Sequence, residues 1–145
     1  MSGCAALKQH EVEQELIAKV EKNKLKNELL KQGETFYREG NLKESRKTFS
    51  ELLEHAPKSQ IALYRLGNIA FKQGELDQAA EYFVQVIELN PRNAKAHYNL
   101  AMVRLIQSET HLKYYAAAVD ADTDISSILA FLTQINQFSE ALEQE

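Results

Sequence analysis

The side chains that could do chemistry in this chain are few and scattered. Its four histidines are His10, His55, His97 and His111. No two of them share the three- or four-residue spacing that puts a pair of imidazoles on one helix face, so none is expected to hold a metal. The single cysteine, Cys4, cannot form an intrachain disulfide and has no organised histidine partner to activate its thiol. Asp120, Asp122 and Asp124 imitate the opening of a calcium loop. Ile125, however, stands where that loop turns sharply on glycine, and Phe131 where it needs a bidentate Glu. Nucleophile elbows, phosphate loops and glycine-rich dinucleotide turns do not occur. The expectation is a protein without catalysis, metal or cofactor.

Composition sets the next bounds. The chain has 145 residues, about one domain, with 44% hydrophobic and 26% charged side chains, enough apolar surface for a core. A net charge of −4 argues against nucleic acid or an anionic membrane as partner, since both select for excess Lys and Arg. No apolar run approaches the ~20 residues that span a bilayer. Residues 107–145 carry one basic group, Lys113, and 7 acidic ones. Apolar residues interleave them at helical spacing, so this stretch reads as a solvated helix face. Met1-Ser2-Gly3-Cys4 leaves two readings open. One is an ordinary start of a cytoplasmic protein. The other is a trimmed leader before a lipidated Cys4, which would make the chain a periplasm-facing, membrane-anchored lipoprotein.

What organises the chain is a period of 34 residues. Residues 60–93 read as two amphipathic helices joined by a turn at Gly74 and closed by Pro91. One period earlier stand Gly33 for Gly67, Gly40 for Gly74, Leu42 for Leu76, Phe49 for Phe83 and Pro57 for Pro91. One period later Leu100 and Ala101 replace Leu66 and Gly67. A fixed period of this length marks a stacked array of helix pairs. Gly67 and Ala79 let the helices of a pair approach, with Leu66, Tyr82, Phe83, Val86 and Ile87 filling the space around them; Ser45 takes the place of Ala79 in the earlier pair.

Outside the array the pattern loosens. Leu7, Val12, Leu16, Ile17, Val20, Leu25, Leu29 and Leu30 form an apolar stripe at spacings of three to five. That predicts one helix of ~50 Å, or a weak break near Asn23 to Asn27, and packing against the repeats in preference to a long zipper. After Ala101 the turn glycine is missing. Aligning Tyr114-Tyr115 with Tyr82-Phe83 implies a turn shortened by two residues, with His111 in the place of Ala79. A continuous helix through Ser108 is the alternative. A last helix is expected over residues 124–143, capped by Asp124, with Ile125, Ile128, Leu129, Leu132, Ile135, Phe138 and Leu142 on its apolar face.

These glycine, proline and aromatic positions resemble the tetratricopeptide repeat family over residues 26–106. The resemblance implies an all-α solenoid: a helical extension over 1–25, repeats at 26–59 and 60–93, a degenerate third at 94–119, and a C-terminal cap over 120–145. It also implies a non-enzymatic adaptor, scaffold or chaperone-like module that binds a protein segment along the inner face of the opening helices. On that face the resemblance places Asn27, Leu30, Glu34, Tyr37 and Arg38, then Ile61, Tyr64, Asn68, Phe71 and Lys72, then Lys95, Tyr98, Met102, Leu105 and Ile106. Aromatic anchors beside a few directed polar groups suit peptide capture. The same groove could instead be filled by the chain's own terminal helices, or a second copy could pair through it or through the N-terminal helix. Repeats that clamp acidic chaperone tails grip a carboxylate with Lys, Asn and Arg. Lys95 fits the later half of that clamp, but Leu30 and Glu34 stand at its first positions and Asn99 where it has Arg, so that ligand is disfavoured.

Overall fold

A computed structural model describes the backbone of residues 3–143 and the side chains of residues 8–138. The described residues form six helices, α1 (Gly3–Arg38), α2 (Leu42–His55), α3 (Gln60–Lys72), α4 (Leu76–Leu89), α5 (Ala94–Ala118) and α6 (Ser126–Glu143). Each packs on the next in chain order, so α3 and α4 lie between α2 on one side and α5 on the other. This is an all-α solenoid.

The period acts through the ends of helices. Gly40 and Gly74 adopt φ of +76° and +75°, the left-handed conformation in which glycine avoids a Cβ penalty, and they end α1 and α3. Ser59 and Asn93, one period apart, start α3 and α5 by accepting the N–H of Ala62 at 3.4 Å and of Ala96 at 3.0 Å. Where the period supplies no such residue the helix runs on. One period before Ser59 stands Leu25, and α1 continues unbroken through it. One period after Gly74 stands Ser108, and α5 continues through that. The shortened turn expected in the third repeat is therefore overturned, because no glycine is there to leave the helix. His111, Tyr114 and Tyr115 consequently remain exposed and do not enter a tight helix contact.

Within each pair the glycine admits an aromatic ring. A Cβ on Gly33 would lie 2.8 Å from Phe49 Cζ, and one on Gly67 would lie 2.7 Å from Phe83 Cε1. Phe49 and Phe83 are both fully buried. Around Phe83 sit Ala70, Ala79, Ala80 and Val103; around Phe49 sit Leu29, Leu52, Leu66 and Ile69. Ser45 is buried too, and its hydroxyl donates to the Gly33 carbonyl at 3.0 Å. That bond reinforces a carbonyl already within a helix. Ser45→Ala is accordingly expected to cost no more than about 1 kcal/mol in urea unfolding, with Ala79 as the precedent. A loss of several kcal/mol would show that the hydroxyl anchors the pair.

Two further expectations change. The N-terminal stripe divides: Leu29 and Leu30 pack in the first core cluster, but residues 8–25, with Val12, Leu16, Ile17, Val20 and Leu25, are exposed throughout and do not pack on the repeats. Among the described residues, nothing covers those turns of α1. The last helix begins at Ser126 and not at 124. Asp124 still serves its start, accepting the Ser126 N–H at 3.0 Å, and this bond holds its carboxyl below the ordinary carboxylate range. Leu132 and Ile135 bury against the rest of the molecule, Ile125 and Ile128 are half-buried, and Leu129 and Phe138 stay exposed. The Leu142 side chain lies outside the described residues.

Candidate functional site

The face expected to line the groove is that of α1, α3 and α5, the opening helices of successive pairs. A ladder of polar contacts crosses it at the repeat spacing. Arg65 of α3 grips Glu34 of α1 with two bonds, Nε to Oε1 at 2.7 Å and a terminal nitrogen to Oε2 at 2.9 Å. The same guanidinium lies 4.7 Å from the centre of the Tyr37 ring, within cation–π range. One period on, Asn99 of α5 donates to Asn68 Oδ1 of α3 at 2.8 Å and to the Tyr64 hydroxyl at 3.2 Å. Because 34 residues separate Arg65 from Asn99 and Glu34 from Asn68, these are the same rung in two chemistries. The first rung is ionic and the second is built of amides.

Electrostatics follow from this geometry. The hydrogen bonds that Arg65 donates to Glu34 push its guanidinium pKa further above the ordinary range, so Arg65 is a permanent cation. Burial pushes the Tyr37 phenol up, which keeps it neutral and able to donate. Both rungs therefore use their polar groups on neighbouring helices. They hold the face in shape more than they offer free groups to a ligand.

The groove residues expected from the sequence divide by what they touch. Tyr37 is half-buried beneath Arg65, and Tyr64 stacks at 5.8 Å and 59° on Phe83 while accepting from Asn99. Leu30 is half-buried against the first core cluster. Met102, Leu105 and Ile106 are half-buried on α5. Ile61, Phe71 and Tyr98 remain exposed, as do Asn27, Arg38, Lys72 and Lys95. Among the described residues neither Lys72 nor Lys95 has an ion-pair partner. Among the described residues, no helix covers Ile61, Phe71 or Tyr98.

Arg65 and Asn99 are absent from the groove set that the sequence suggests. The signal was present in the period, since Lys31, Arg65 and Asn99 are spaced by 34. A side chain immediately following a groove tyrosine is easily assigned to the next face, whereas here it lies between opening helices. Glu34, whose charge counts against an acidic ligand, is already neutralised by Arg65. The Cys4 side chain, the proposed lipidation point, falls outside the described residues. Among those described there is no cluster of three or more His, Cys, Asp or Glu able to hold a metal, and no helix is long and apolar enough to cross a membrane.

Comparison with known proteins agrees with this architecture. Family models described as tetratricopeptide repeat match residues 29–59, 61–93 and 82–113. The last of these takes in the second half of α4 and most of α5, so it joins the second helix of one pair to the opening helix of the next. Curated proteins give no match. Among solved structures, a mutant of the Thermobaculum terrenum O-GlcNAc transferase is similar with a TM-score of 0.56 and 24% identity, over 79% of this chain. That stretch is only 22% of the transferase chain, and the likeness shows the fold alone. Repeats of this kind are modules of protein–protein interaction. The chain belongs to the tetratricopeptide repeat family.

Proposed function

We propose that the chain is a non-catalytic adaptor whose inner face binds a short segment of a partner protein. The observation that carries this reading is the open apolar trio Ile61, Phe71 and Tyr98, flanked by Lys72 and Lys95 and backed by a face already rigid. Apolar anchors on a preorganised surface lose little entropy when a ligand binds. The two lysines add a preference for carboxylates at the ends of that segment. The ligand class is then a segment with two or three apolar side chains bordered by Asp or Glu.

A peptide array varying those two features tests the reading. Phe71→Ala with Tyr98→Ala is the suitable variant, because both side chains are exposed and α3 and α5 keep their buried faces. Tyr64 is unsuitable, as its loss would also uncover Phe83. The variant is expected to weaken retention of acidic-flanked apolar peptides by roughly 10- to 100-fold, with helical circular dichroism unchanged. Equal retention by variant and parent would remove the groove from consideration.

A further inference from the structure

The last helix is aimed at the groove. On α5, Leu105, Glu109, Leu112 and Ala116 are half-buried at spacings of four, three and four, so they form one strip. Followed back at the same spacing, the strip continues through Met102 and Tyr98, with Lys95 one turn beyond. All three are residues expected to line the groove. α6 packs on α5. Its own strip starts just before the helix with Ile125 and runs through Ile128, both half-buried, to the buried Leu132 and Ile135. The next places on it are Ser139 and Leu142. Seven residues, 119–125, join the helices and fold into a turn in which the Thr123 N–H donates to the Asp120 carbonyl at 2.9 Å. So short and folded a link starts α6 beside the end of α5 and returns it antiparallel. Each turn beyond Ile135 therefore travels back past Leu105 toward Met102, Tyr98 and Lys95.

The charge of α6 is all at this far end. Residues 125–139 carry no charged side chain, whereas the next six include Glu140, Glu143 and Glu145. At 100° per residue, Glu143 lies about 40° and Glu140 about 100° clear of the α6 strip, and Lys95 lies about 70° clear of the α5 strip in the same rotational sense. Reversing a helix reverses its rotation as seen along the pair, so in an antiparallel pair those flanks face the same way. The two glutamates thus share a side with Lys95, and it is the side that carries Met102 and Ile106. Glu140-Ala141-Leu142-Glu143 is also, in itself, two apolar side chains bordered by Glu, the ligand class proposed for the groove. Among the described residues Lys95 has no ion-pair partner, and Tyr98 is left 50% exposed.

We propose that residues 139–145 cover the α5 end of this chain's own groove, with Leu142 over Met102 and Tyr98 and with Glu140 and Glu143 drawn to Lys95. A partner segment then binds by displacing them, which makes the tail an internal competitor. That consequence rests on the peptide-binding reading; the contact itself does not. The attraction is between side chains near water, so it is weak and screened by salt, as a displaceable cover must be.

Amide resonances read the contact with no peptide present. Against the parent, a chain ending at Phe138 and a full-length Glu140→Gln/Glu143→Gln variant should each shift Lys95, Tyr98 and Met102, while Ile61 on α3 stays in place. Gln matches Glu in helix propensity, so the second variant separates loss of the contact from fraying of α6. Shifts confined to α6 would overturn the proposal. So would parent resonances that move to the variant positions on dilution, since a second copy's tail would then be the occupant. Competition is read on the peptide array. Both variants should retain acidic-flanked apolar peptides about three- to tenfold more strongly than the parent, because apparent affinity scales with the fraction of open grooves. Unchanged retention beside shifted resonances would overturn the competitor role. Retention by none of the three proteins would overturn the peptide-binding reading, while the shifts would still support the contact.

Discussion

Phe83→Ala is expected to lower the free energy of unfolding by about 3–5 kcal/mol. The ring is fully buried, stacks on Tyr64, and is enclosed by Ala70, Ala79, Ala80 and Val103. Three of those neighbours are alanines on helix backbones, so they have no side-chain length with which to fill the space. The cavity would stay open, which places the loss at the upper end for its type. A domain of this size has roughly 5–15 kcal/mol to lose. Urea unfolding should therefore show a midpoint near the start of the titration with an unchanged slope.

The complementary change enters from the other side of the same contact. Gly67→Ala gains up to about 1 kcal/mol of helix propensity, but its Cβ would meet Phe83 Cε1 at 2.7 Å. The ring cannot retreat, because Val103 and the alanines stand behind it. Overpacking of this kind costs about 1–3 kcal/mol, so the balance is a net loss. Combining Gly67→Ala with Phe83→Leu should destabilise by less than the sum of the two single changes, since the smaller side chain makes room for the methyl. A stabilised Gly67→Ala protein would mean that the helices of the pair can separate freely.

Arg65→Glu is the second large effect. It would put two carboxylates against each other across α1 and α3, beside a half-buried Tyr37, in place of a bidentate pair. Both partners retain about 30% side-chain exposure, so solvent screens part of the repulsion. An expected loss of roughly 1–3 kcal/mol allows for that screening and for the lost stacking on Tyr37. The double swap Glu34→Arg/Arg65→Glu should recover a large part, and a double-mutant cycle measures how much. Losses that simply add would show that the two side chains do not cooperate.

The parts of this molecule legible in the sequence are those where one residue type has one conformational consequence. Gly40 and Gly74 mark turns because they take positive φ, and Gly33 and Gly67 mark ring contacts because they lack a Cβ. The same logic, applied to absences, accounts for the unbroken α1 and α5, since Leu25 cannot cap a helix and Ser108 does not turn one, whereas aligning Tyr114-Tyr115 with Tyr82-Phe83 points wrongly to a shortened turn in α5. The candidate site is less legible. Tyr64 reads equally well as a ligand contact and as a core residue, and in the structure it is half-buried with its ring tilted against that of Phe83. Arg65 and Asn99 find their partners 31 residues back, a separation that no local pattern reveals. The exposed turns of α1 show the limit most plainly. Their stripe announces an amphipathic helix without announcing what will cover it.

The alternation of rungs on the inner face has a bearing on how this array could grow. If a second copy of residues 60–93 were spliced in after the first, its own copy of Arg65 would stand opposite Asn68 instead of Glu34. A guanidinium would then face an amide with no carboxylate to neutralise it, while Asn99 would still meet the Asn68 of the inserted unit. Only the new junction would be mismatched. The ionic and amide rungs thus label the order of the units, and duplication here would need at least one compensating Asp or Glu to be accepted.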